Sequence, residues 1–209
     1  MQKIIEAIIR NNEIHAKWLN TLSFMENAGA RKISACEDPV TVDLIQLKHA
    51  AEEHRHAYYL KKQILKLAPD SCINYMADEM LAQGYTRQYL HRLDMQASRF
   101  LKNTFQLDGK ALRYASYLFV TYAIEVRADE LYPVYQDALD NSKSRVMVKS
   151  IILEEEGHLE EMIQQLERFH ADWEDYAGEV LKIENELFQD WINAVGKEVL
   201  SYESATALV

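Results

Sequence analysis

The chain has 209 residues, 48% of them hydrophobic, with a formal charge of −10 at neutral pH. That length suits one domain with a sizeable core, and the acidic balance argues against nucleic acid or an anionic membrane as partner. No apolar run approaches the roughly 18 residues of a membrane span.

The opening MQKIIEAIIRNNEIHAKW is too interrupted, by Glu6 and Arg10, to suit a signal peptide. It begins a first helix expected over about 2 to 34. Asp38-Pro39 reads as an N-cap followed by proline at the first helical position, opening a second helix from about 40 to 67. Pro69 ends it, because the residue before a proline avoids the helical region. Residues 70 to 108 read as a connection that is helical in part. A third helix is expected over about 110 to 140, with Pro133 a kink or weak point. DNSKS is a turn, a fourth helix covers about 144 to 170, and a last amphipathic helix covers about 173 to 203. Cys36 and Cys72 form no CxxC and no disulfide framework, so a reducing cytoplasm is the expected compartment. Short turns make two antiparallel hairpins of helices one-two and three-four, joined by one long crossover. That is the connectivity of the ferritin-like four-helix bundle, and a single domain over 1 to 209 is expected.

One spacing recurs along these helices. AAEEHRHAYY contains Glu53 and His56, and ILEEEGHLEE contains Glu155 and His158. At about 100° per residue, Glu53 and His56 share a stripe with Val42, Ile45, His49, Leu60, Ile64 and Leu67. Glu155 and His158 share one with Met147, Val148, Ile151, Met162, Leu166 and Phe169. A lone buried carboxylate costs several kcal/mol unless it is paired or bound to a cation. A third pair, Glu167 and His170, falls off the stripe and reads as surface. Glu and His three apart lie on one helical face and can ligate a metal together. A di-metal centre in such a bundle takes one more Glu from each remaining helix. On the first helix Glu26 lies on the apolar stripe, whereas Glu13 is opposite. On the third, Glu125 and Glu130 each share a stripe with apolar residues; height along the hairpin favours Glu125, and Glu130 is the reserve. Four carboxylates balance two divalent cations, and oxygen-rich ligation with one His per metal suits Fe or Mn.

The set Glu26, Glu53-x-x-His56, Glu125, Glu155-x-x-His158 resembles the ligand pattern of the ferritin-like di-iron carboxylate superfamily, which includes ferritins, rubrerythrins and di-iron oxygenases. DELYP, which contains Glu130, also resembles a rubrerythrin stretch. The resemblance implies two iron ions, Mn being an alternative. Glu53 and Glu155 would bridge them, Glu26 with His56 and Glu125 with His158 serving as terminal ligands. It implies an O2-activating oxidase or oxygenase acting on a small organic substrate with an external electron donor, and a homodimer is compatible with it. The alternatives are a rubrerythrin-like peroxide reductase, a ferroxidase or iron store, and a metal-free structural bundle. A four-Cys iron domain for electron delivery is absent from the sequence. His15 and His49 lie on the ligand stripes and read first as core histidines, with an outer role as the alternative; Tyr59 and Tyr122 read first as core packing, with a redox role as the alternative; Arg55 and Arg127 read first as a solvated face, with pairing to ligand carboxylates as the alternative.

Overall fold

The computed structural model describes residues 1–206. These residues form seven α-helices and one short 3-10 turn: α1 Gln2–Ile9, α2 Asn12–Cys36, α3 Leu44–Ile64, the turn Ala77–Glu79, α4 Gln83–Phe105, α5 Gly109–Asn141, α6 Lys149–Phe169 and α7 Trp173–Thr206. No strand occurs among the described residues.

The sequence explains where the expected helices are trimmed or split. The first breaks at Arg10, because Asn11 turns extended and its Oδ1 accepts the Glu13 and Ile14 amides at 2.9 and 3.2 Å. The second starts later than Asp38-Pro39 suggested. Asp38 does accept from the Val40 and Thr41 amides, but this closes a turn. The true N-cap is Asp43, whose Oδ1 accepts from Ile45 and Gln46 at 2.9 and 3.2 Å. The cause is burial: Val42 is 66% exposed, so nothing recruits 40–43 into the helix. α6 likewise starts late, at Lys149; there Met147 is exposed, but Val146 and Val148 are buried, so burial does not account for the start. α5 continues through Pro133.

α2 and α3 run antiparallel, with Ser23 Oγ donating to the Ala57 carbonyl at 2.7 Å and Gln46 Nε2 to the Ile33 carbonyl at 3.1 Å. α5 and α6 are likewise antiparallel: Gln136 Oε1 accepts the Val148 amide near the turn, and Phe119 meets Phe169 further along. α3 and α6 face each other antiparallel, held by Lys48–Glu161 at 2.7 Å and Arg55–Glu154 at 2.6 Å. α2 and α5 also run antiparallel. Trp18 packs on Tyr135 at one end, and Asp38 pairs with Lys110 at the other. α4 and α7 pack against each other and against α5, covering this second side. The core there is aromatic: Trp191 of α7 stacks on Trp18 of α2 with ring centroids 5.6 Å apart, and Trp191 Nε1 donates to Thr86 Oγ1 of α4. Gly196 lets α7 approach α1, since a Cβ there would lie 2.9 Å from Ile4 Cδ1. No helix among the described residues is long and apolar enough to cross a membrane.

Candidate metal centre

The facing of α3 and α6 sets Glu53 and His56 level with Glu155 and His158. Glu26 reaches in from α2 and Glu125 from α5. All six residues proposed from sequence come together. They form two overlapping groups: Glu26, Glu53, His56 and Glu155, then Glu53, Glu125, Glu155 and His158. In each group one ligand atom per residue lies within 4.8 Å of every other. Glu53 and Glu155 belong to both. Five of the six are buried, Glu26 being partly exposed.

Four inward Glu of one sign, three of them buried, repel each other. Burial first, and the Glu155 charge second, push both Glu53 and Glu125 well above the usual carboxylate range. Burial pushes Glu155 up as well, but the close approach of Glu125, His158 and His56 outweighs it and holds Glu155 below that range. Burial opposes charge on the histidines. The Glu155 carboxylate, 3.0 Å from Nδ1, nonetheless raises His56 to about 9, and the nearby Glu125 and Glu155 carboxylates raise His158 to about 11. Protons thus partly balance the carboxylates, and two atoms are left over. His56 Nδ1 lies 3.0 Å from Glu155 Oε1, but off the direction of a hydrogen bond, and it has no hydrogen-bond partner; nor has Glu125 Oε2. Orphaned polar atoms in a buried site call for an additional group, and here a donor and an acceptor both point into one cluster of oxygens and imidazole nitrogens. These residues fit a metal cation, with oxygen donors in the majority.

The outer nitrogen of each histidine is fixed from the opposite helix. Glu154 Oε2 lies 2.8 Å from His56 Nε2, and Glu52 Oε2 lies 2.7 Å from His158 Nε2. Each carboxylate immediately precedes a shared Glu, so the pattern is Glu-Glu-x-x-His on both helices, each Glu-Glu serving the other helix's His. A carboxylate on Nε2 fixes the proton there and turns Nδ1 inward as a ligand. Arg55 holds Glu154 with two contacts, 2.9 and 2.6 Å. Sequence reasoning missed Glu52 and Glu154, although their adjacency to Glu53 and Glu155 was a readable sign.

His49 lies beside the centre, its ring 4.6 Å from that of His158, with Nε2 2.8 Å from Glu161 Oε2 and Nδ1 3.3 Å from Tyr117 Oη. Burial, then the neighbouring His158, pushes His49 down. Tyr132 of α5 donates to Glu26 Oε1.

The remaining candidates lie apart from the ligands. Glu130 is exposed and pairs with Arg127, so the reserve ligand is excluded by placement. Arg127 meets no ligand carboxylate; it pairs at 2.7 Å with Glu184, a buried α7 carboxylate that also accepts from Tyr89. Glu184 was invisible to a search along the bundle helices alone. Tyr59 donates to the Met147 carbonyl and Tyr122 packs on Trp173, away from the cluster. His15 is a core histidine, 2.6 Å from Tyr135 Oη, and burial holds it down at about 4. Glu167 is exposed, as expected.

On the α2–α5 side a cavity of about 100 Å³ abuts the cluster, with Glu26, Glu53 and Glu125 in its wall. The rest is mainly apolar, from Leu22, Met25, Val120, Ile124 and Phe188 among others. Comparison of the chain with protein-family models, with curated proteins and with solved structures finds no match in any of the three. The all-helical architecture and the buried Glu and His cluster are compatible with a ferritin-like fold.

Proposed function

We propose that the chain is a ferritin-like four-helix bundle, α2–α3 and α5–α6 with α4 as the crossover, that holds two metal ions. The ions are iron, with manganese as the alternative, and the protein is an oxidase or oxygenase of a small organic molecule. Glu53 and Glu155 would bridge, with Glu26 and His56 on one ion and Glu125 and His158 on the other. The support is membership of Glu53 and Glu155 in both ligand groups. When reduced, such a pair supplies electrons to O2, and an external donor has to replace them. The protein's own contribution is to hold six ligands, to fix the histidine tautomers through Glu52 and Glu154, and to keep water out. The observation that carries the organic-substrate reading is the cavity: an apolar chamber against the carboxylates suits an organic molecule, whereas passage of iron to a store calls for a polar path.

The test is anaerobic loading with ferrous iron, followed by O2 or peroxide in separate runs. O2 should oxidise about the two bound ferrous ions per chain and then stop without a donor. Continued oxidation of excess ferrous iron would show iron handling instead. Reoxidation by peroxide but not by O2 would show peroxide reduction.

A further inference from the structure

The cavity has a direction. On α2 its wall runs from Glu26 through Gly29 and Ile33 to Cys36, ten residues or about 15 Å of helix. At the far end stand Lys32 and Asp94, paired at 2.8 Å, with side chains 35% and 39% exposed. The cluster is the buried end and this pair marks the solvent end. The charges between them are already satisfied: Lys32 by Asp94, and Arg127 by Glu184 and Glu130. An ionised ligand lying along the slot would have to break one of these pairs or face the carboxylates.

Gly29 stands midway, one turn beyond Glu26. Glycine within a helix is less favourable than alanine, and close packing does not require it here. A Cβ built on Gly29 meets no atom within 4 Å, so a side chain would project into the open cavity.

From this we infer that the slot binds a small, neutral, slender aliphatic molecule, such as a short-chain alcohol, reaching past Gly29 toward the carboxylates, and that the missing side chain at Gly29 sets the bore; a volume of about 100 Å³ admits nothing much larger than benzene. As a statement about substrate this rests on the oxidase reading; as a statement about binding it does not. The satisfied charges along the slot select neutral over anionic molecules, and a volume of about 100 Å³ along the α2 wall selects a short, slender one.

The experiment titrates butanol and butanoate into the whole chain as purified, following tryptophan fluorescence (Trp191 is in the wall) and calorimetry, with metal content measured on the same samples. Butanol should bind saturably, one per chain, and butanoate at least about tenfold more weakly. Gly29→Phe should weaken butanol at least about tenfold with metal content unchanged. Gly29→Ala should raise Tm. If Gly29→Phe fails to fold, Val120→Phe on the opposite wall replaces it, with the same expected loss. No saturable butanol binding, butanoate binding as tightly, or full affinity in the blocked variant would each overturn the inference. Butanol binding to a protein that takes up no metal would leave the slot standing and remove the metal reading.

Discussion

Consider Glu154→Ala. The change removes the carboxylate 2.8 Å from His56 Nε2 and takes from Arg55 its two closest contacts, leaving it Glu52 Oε1 at 3.5 Å. His56 loses its orienting acceptor, so its Nδ1 spends less time as an inward lone pair. Outer carboxylates of this kind are worth about 10- to 100-fold in metal affinity, or about 1.4 to 2.8 kcal/mol. The Glu154 side chain is 27% exposed, so water replaces part of the lost bond. The loosened Arg55 cation works against a metal cation and offsets that relief. An effect of about 10- to 30-fold is therefore expected, on the site that contains His56. Glu52→Ala should do the same to the site that contains His158, because Glu52 is 2.7 Å from its Nε2. Anaerobic calorimetric titration with manganese or ferrous ion resolves this as one weakened step and one step near the parent value, with Glu156→Ala, an exposed neighbour, as the control. If Glu154→Ala and Glu52→Ala bind metal like Glu156→Ala, the crossed bonds do not orient ligands and the reasoning fails.

Metal uptake should strengthen with pH. In the metal-free protein His56 and His158 titrate at about 9 and about 11, so both carry a proton at neutral pH that must leave before Nδ1 can ligate. The raised Glu53 and Glu125 act in the same sense, and affinity should rise about tenfold or more per pH unit near neutrality; a flat profile would contradict the protonation scheme. Glu184→Ala should leave Arg127 without its buried partner and cost about 3 to 5 kcal/mol. Thermal unfolding would show this as a fall in Tm of roughly 6 °C or more, and a shift under about 2 °C would mean that Glu130 suffices. Asn11→Ala should cost about 1 kcal/mol by uncapping α2, measurable by urea unfolding.

The sequence carries the helix positions because apolar periodicity is a property of the chain alone. It carries the six inward ligands because Glu and His on an apolar stripe have few other reasons to be there. Helix ends were displaced where capping competes with burial: Asp38 and Asp43 can both cap, and only the packing of the residues C-terminal to each selects Asp43. Glu125 could not be separated from Glu130 by period. Their directions differ by about 140°, but apolar residues flank both on a helix buried on several sides, and only the packed structure shows that Glu125 faces the cluster while Glu130 is exposed beside Arg127. Glu52 and Glu154 lie off the apolar stripes, so a search for inward residues passes over them. Their role exists only once α3 and α6 face each other. The cavity was not readable, because empty space is a property of how helices diverge.

The most direct test of the central claim is metal content per chain after anaerobic loading with ferrous iron and removal of excess, measured by plasma emission on the parent protein and on Glu155→Ala. Glu155 belongs to both ligand groups. About two ions per chain are expected in the parent and near none in the variant, with helical content by circular dichroism preserved in both. No bound metal in the parent, or two ions retained in Glu155→Ala, would contradict the di-metal centre.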